Sequence, residues 1–498
     1  MISALAAIRV TRTTLALPLV LLVITACARP GPAASVDATT PLADAQVEEL
    51  VRRSFQYVAM FNVNNKFALD VSSPMNTGGY NRVFANTKLI DHRLESIARP
   101  NNDTLFAGAM IDVTEEPMVL KIPAFDSTYV SFMVTGYDHY VNIPMSTRLG
   151  DFAESETMLF YSARTPGYDG APSAGIDRIF EVTGDFVSAV FRIMPHAAEP
   201  ERRDRNIAAM RTIELTPLSK FLGDAKDEVD FVPWGSPPGI ARNLTIKEDL
   251  ARFPAFGSDF EIFEDRLLAV MQFIFNHTTF DSDNEMDAAL LELYEPLGVV
   301  PGRVYVPNEV AVLDGAAVRS VAERVAAEAL GTMQDREFME ANITGLFQPK
   351  GEIGLDLLVI QSVVGPIGQP AAEAVYPPIV TADGKPMNAM FDYEIVMTAE
   401  ELPPVNAFWS ATLYDNERGF FVPNDRFKYS VGENAGYKLN ENGGIRIVIA
   451  DEKPKGVPEE NWLPINRGDY DFDIIMRLYS PDLERFANWT PPKAERIR

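Results

Sequence analysis

Tyr137-Asp138-His139-Tyr140 is the one stretch of the chain in which a histidine adjoins a carboxylate and two phenols. Those types are the raw material of general acid-base catalysis, because an imidazole titrates near neutrality and a carboxylate can orient it. In a strand, alternate residues face opposite ways, so Tyr137 and His139 share a face and Asp138 points away. The orienting carboxylate must then come from elsewhere, and Asp103, in Asn101-Asn102-Asp103-Thr104, is the candidate. Asp103 and His139 are the expected catalytic pair if the protein is a hydrolase, with Asn101, Asn102, Asp112, Asp138 and Arg148 as neighbours in a pocket and a divalent metal as an optional helper. Plainer uses compete. Asx and Thr side chains after a proline cap turns through their own backbone, Pro100 biases Arg99 to an extended conformation, and a buried histidine is most often structural.

A second surface is offered by two strand patterns. Phe408, Ser410, Thr412 and Tyr414 alternate with Ala407, Trp409, Ala411 and Leu413, and Asp473, Ile475, Arg477 and Tyr479 alternate with Phe472, Ile474, Met476 and Leu478. Trp409, Tyr414, Arg477 and Tyr479 are therefore candidate ligand-binding residues, since aromatic rings stack on sugars and arginine binds carboxylates. Sandwich cores and domain interfaces use the same residue types.

Metal chemistry is weakly supported. Asp281, Asp283, Glu285, Asp287 and Glu292 follow a calcium-loop register, but Met286 stands where that loop needs glycine. A helix start with Asp281 or Asp283 as N-cap explains the same acids. The four histidines are scattered, and no Gly-x-Ser-x-Gly, His-Glu-x-x-His, Gly-x-x-x-x-Gly-Lys or Gly-x-Gly-x-x-Gly motif occurs. No cofactor is required by the sequence.

The elements that must position these residues follow from periodicity. Arg9 and Arg12, the apolar run Leu15 to Ile24 and Thr25-Ala26-Cys27 form a signal of the lipoprotein type, with Cys27 as the acylated first residue of the mature chain. The run is shorter than the roughly 20 residues of a spanning helix. Expected divisions are the signal peptide over 1–26, a lipidated cysteine and flexible tether over 27–43, an N-terminal β-sandwich over 44–222, a helical middle domain over 223–350 and a C-terminal β-domain over 351–498. An amphipathic first helix begins near Asp44. Period-two runs at 118–122, 129–134 and 187–193 read as strands, 260–275, 288–297, 318–333 and 355–364 as helices, and 393–397, 407–414, 444–450 and 472–479 as strands.

Without residues 1–26 the chain keeps 42 basic against 70 acidic side chains, and no basic run occurs, which excludes nucleic acid as a partner. The acyl anchor, not a basic surface, is left to hold the protein to the membrane. With Cys27 as its only cysteine the chain has no disulfide and no thiolate chemistry.

Several motifs, in order, carry a resemblance. Pro100-Asn101-Asn102-Asp103-Thr104-Leu105-Phe106, Met110-Ile111-Asp112 and Leu215-Thr216-Pro217-Leu218-Ser219 resemble the bacterial domain-of-unknown-function family 1254. Pro403-Pro404-Val405-Asn406-Ala407-Phe408-Trp409-Ser410, Asn461-Trp462-Leu463-Pro464, Arg477-Leu478-Tyr479 and Trp489-Thr490-Pro491-Pro492 resemble its companion family 1214. The resemblance implies an immunoglobulin-like N-terminal β-sandwich, a helical insert and a C-terminal jelly-roll sandwich, in mostly uncharacterised envelope or secreted proteins, and brings no catalytic residue with it. Many relatives have Leu-Asp-Gly where this chain has Met387-Asn388-Ala389. Together these readings point to an envelope lipoprotein, facing the periplasm or the exterior, that binds a carbohydrate or small organic ligand in a cleft between β-domains, with a hydrolase and a structural or assembly protein as the alternatives.

Overall fold

The computed structural model describes residues 42–70, 76–95, 98–223, 255–306 and 313–497. Cys27, the signal segment and most of the tether lie outside them. The protein is multidomain and mainly β, with largely antiparallel sheets and a helical middle region.

The N-terminal strands are β1 (Arg82–Asn86), β2 (Leu105–Asp112), β3 (Met118–Ile122), β4 (Val130–Thr135), β5 (Ile143–Ser146), β6 (Glu156–Ser162), β7 (Arg178–Val182), β8 (Phe186–Ile193) and β9 (Glu214–Pro217). Among the described residues they form a five-stranded sheet in the order β1-β2-β8-β4-β5 and a four-stranded sheet in the order β7-β6-β3-β9. Val187, Ala189, Phe191 and Ile193 of β8 meet Met118 and Leu120 of β3 in the core between the two sheets. The alternate residues Phe186 and Val190 face the other way, into a second core shared with the helices. Both faces of the five-stranded sheet are thus covered, which is why β8 reads as an almost unbroken apolar run.

That covering layer includes helix α1 (Asp44–Leu69) with the helices Leu267–Asn276, Glu285–Tyr294, Gly315–Gln334 and Leu355–Val364. The expected amphipathic character of α1 holds for its first turns only. From Ser54 to Asn65 every residue is buried, because α1 runs between the sheet and the later helices. Asn284, not Asp281 or Asp283, caps the Glu285 helix, its side chain accepting from the amides of Met286 (3.0 Å) and Asp287 (3.1 Å). Asp287 is buried in an ion pair with Lys350, and no metal-holding cluster exists among the described residues.

The C-terminal strands are β10 (Ala374–Val375), β11 (Pro378–Ile379), β12 (Met387–Asn388), β13 (Tyr393–Met397), β14 (Val405–Asp415), β15 (Ser430–Gly432), β16 (Ile445–Ala450), β17 (Trp462–Pro464), β18 (Asp471–Pro481) and β19 (Ala494–Arg496). They form one sheet centred on the long antiparallel pair β14 and β18 and a second in the order β17-β16-β13-β19. Trp409, Ala411 and Leu413 of β14 and Phe472, Ile474, Met476 and Leu478 of β18 fill the space between these sheets. The alternation read in the sequence therefore places Phe408, Ser410, Thr412, Tyr414, Arg477 and Tyr479 on the opposite face. That face is not open: it packs against the N-terminal part.

Candidate functional site

The interface is built on a turn and two strands. Asn101 Oδ1 accepts from the amides of Asp103 (2.8 Å) and Thr104 (3.2 Å), so the Asn-Asn-Asp-Thr cluster does cap its own backbone. Its amide nitrogen also reaches across to Tyr479 Oη at 2.6 Å. Arg99 departs from the extended conformation expected before proline: its φ is 49°, its amide donates to the Gly419 carbonyl (2.7 Å) and its guanidinium meets Asp473 at 2.8 Å. Contacts to the C-terminal part hold it there.

Register then brings the far side together. Antiparallel pairing sets Phe408 opposite Tyr479 and Ser410 opposite Arg477, and the Phe408 and Tyr479 rings stack with centroids 4.2 Å apart. Tyr479 donates to Asp103 Oδ2 at 3.0 Å. Arg477 lies 3.7 Å from the same oxygen and donates to Thr412 Oγ1 (3.1 Å), the Arg99 carbonyl (3.0 Å) and Tyr414 Oη. Tyr414 donates to the Pro100 carbonyl at 2.7 Å. Burial works to lower the Arg477 pKa, but Tyr414 and Asp103 outweigh it and push it up. Burial, with the Asp103 charge adding to it, raises the Tyr479 phenol well above its ordinary value. The group is a buried interface whose Asp103, Arg477, Tyr414 and Tyr479 are bonded to one another or to nearby backbone.

The expected catalytic pair does not form. His139 sits in a turn, not a strand, with φ 62°. The turn is clamped by Gln56 of α1, which donates to the Asp138 carbonyl at 2.7 Å, and by Gln361, which donates to that of His139 at 3.1 Å. The His139 ring is buried, with Nδ1 2.9 Å from Ser362 Oγ and Nε2 2.6 Å from the Pro366 carbonyl. Burial pulls its pKa down to about 4, so it is neutral at pH 7. Asp103 has other partners and does not orient it.

The remaining candidates disperse. Asp138 is buried near Lys350, and among the described residues neither carboxylate oxygen has a well-formed hydrogen bond. Burial raises its pKa to about 6, against the pull of Lys350 and Thr183. Arg148 pairs with the buried Glu373 at 2.8 Å, a structural ion pair. Asp112 accepts from Thr114 at 2.8 Å. Asn102 accepts from Ser430 at 3.1 Å. Trp409 is 3% exposed in the sandwich core, tilted against Tyr437, and is therefore unavailable to a ligand. Tyr414 and Tyr479 are likewise covered.

What the sequence reading missed is a cavity of about 130 Å³ beside this interface. Phe84, Phe106 and Val190 of the five-stranded sheet form one wall, Leu346, Phe347, Ile360 and Val364 of the helical region another, and Ile475 and Tyr376 of the C-terminal part a third. Gly368 belongs to the lining: a Cβ there would stand 2.0 Å from the Phe347 ring, so only glycine lets that ring lie where it does. Among the expected site residues, Asn101 and Arg477 line the cavity, joined by Arg192. Arg192 was legible as a charge within the otherwise apolar run of β8.

Comparison with known proteins agrees with this architecture. A family of proteins of unknown function, DUF1254, matches residues 80–217, and a second, DUF1214, matches residues 373–483. The chain carries both domains. No curated protein matches it. The crystal structure of the VPA0106 protein from Vibrio parahaemolyticus is similar over 91% of this chain and 100% of that one, at 20% identity and a TM-score of 0.60, a likeness of fold alone. An uncharacterized protein from Burkholderia cenocepacia, 12% identical over 91% of this chain and 93% of its own, has a TM-score of 0.39, too low to bear on the fold.

Proposed function

We propose that the protein is an envelope lipoprotein that binds a small, largely apolar organic molecule in the cavity where its sheet, helical layer and C-terminal domain meet. The cavity carries this reading. Protein interiors are close-packed, and a void walled by side chains from three parts of the chain is a place kept open. Its volume of about 130 Å³ is near that of apolar cavities that take up benzene. Carbohydrate is less well supported, because Trp409, Tyr414 and Tyr479, the rings that would stack on a sugar, are buried in packing. The hydrolase reading loses its acid-base pair, since Asp103 and His139 have separate partners. The membrane anchor rests on Cys27 and the apolar run before it.

Thermal unfolding of the full-length protein with toluene, cyclohexane and hexanol tests the binding. A ligand selective for the native state raises the midpoint by mass action. The same compounds should leave the midpoint of Val190→Phe, in which a ring fills the void, unmoved. No shift for the wild-type protein, or equal shifts for both, would overturn the reading.

A further inference from the structure

Resting on that cavity, the charges around it say what head group its ligand carries. Arg192 is on the face of β8 that looks away from the sandwich core, is 4% exposed and lines the cavity. Its Nη2 donates to the Ile367 carbonyl at 2.6 Å and its guanidinium lies 5.4 Å from the centre of the Phe106 ring. Its Nε is buried with no acceptor among the described residues.

The other arginines of the junction are each matched to a carboxylate. Arg477 has Asp103, Arg148 has Glu373 and Arg99 has Asp473. Arg192 forms no ion pair with a carboxylate among the described residues. The phenols Tyr129 and Tyr479 are held protonated by burial and supply no negative charge. A buried cation without a counter-ion is costly, and a guanidinium's planar fork is matched by the two oxygens of a carboxylate. The space beside it accommodates a ring or a chain of about six carbons.

We infer that the ligand is a small apolar carboxylic acid, aryl or short acyl, with its carboxylate beside the Arg192 guanidinium and its body among Phe84, Phe106 and Ile360. The acid completes the charge balance that the protein leaves open.

Calorimetric titration of the full-length protein compares benzoate with toluene and hexanoate with hexanol. The acids should bind about tenfold or more tightly than their neutral counterparts. Arg192→Gln should bring that ratio close to one while neutral compounds bind as before, and Arg192→Lys should keep part of it. Neutral compounds binding as well as the acids would overturn the carboxylate and leave the cavity reading standing. Binding by neither class would overturn both. Should Arg192→Gln not fold, Val190→Phe decides: acid binding that survives filling of the void lies elsewhere, and the inference falls.

Discussion

The phenol of Tyr479 donates to Asp103 Oδ2 at 3.0 Å while accepting from Asn101 Nδ2 at 2.6 Å, so one hydroxyl on β18 fastens the turn before β2. With Arg477 beside it, the polar cluster that looked chemical in the sequence is the lock between two β-domains. Asp103→Ala strands a buried guanidinium and should destabilise by about 3–5 kcal/mol in urea unfolding. Asp103→Leu combined with Arg477→Met should recover much of that loss. A cost below about 1 kcal/mol for Asp103→Ala would refute the lock.

His139 gives a pH dependence of known sign. Its folded pKa, about 4, lies below the unfolded value of about 6.5, so the unfolded chain takes up the proton first. Its contribution is full above pH 6.5 and is lost as pH falls towards 4, by about 3 kcal/mol at the limit. His139→Gln should flatten that part of the urea midpoint against pH, and an unchanged slope would contradict a buried neutral ring.

Asp138 runs the other way. Its folded pKa of about 6 is raised from the carboxylate value of 3.8, so the folded state holds a proton that the unfolded state has released, and stability falls as pH rises from 4 through 6. Asp138→Asn should therefore gain stability over the wild type at pH 7.5, by roughly 1–3 kcal/mol, and lose that advantage by pH 4. Parallel stability profiles for the two proteins would show that Asp138 is not strained by its ionisation.

Stacking of Phe408 on Tyr479 at 4.2 Å, with Tyr129 edge-on to both, predicts that Phe408→Ala costs about 3–5 kcal/mol. Far-ultraviolet circular dichroism during urea unfolding measures it. A loss under 1 kcal/mol would mean that the interface collapses around the missing ring.

For the anchor, labelled palmitate should enter the wild-type protein and not Cys27→Ser, which should appear in the soluble fraction. Labelling that persists in Cys27→Ser would remove the lipoprotein assignment.

Period-two spacing gave the strand faces correctly at β14 and β18, because alternation is a local property: Trp409 and Leu413 do share the sandwich core. What lies over the opposite face is a long-range fact, and Ser410, Thr412 and Arg477 read equally well as a solvent-facing site and as an interface. At Tyr137-Asp138-His139-Tyr140 the facing of the side chains was read for the case of a strand, and the segment is a turn. Gln56 and Gln361, far away in sequence, hold a turn with positive φ at His139 that strand propensity does not anticipate. The cavity was the least legible, since an absence of atoms leaves no pattern. Its one trace is Arg192, a charge in a strand buried on both sides.

Helix α1 lies against the Leu355–Val364 helix, and each covers apolar surface of the other. A chain is made from its N-terminus, so α1 is synthesised before everything that shelters it, Phe55 meeting Phe263 and Phe61 meeting Tyr137 and Phe273, with the Leu355–Val364 helix last. The first helix is completed last. Until the last helix is made one side of α1 has no cover, and a chain cut short before residue 355 keeps its sheet and earlier helices but leaves that side exposed.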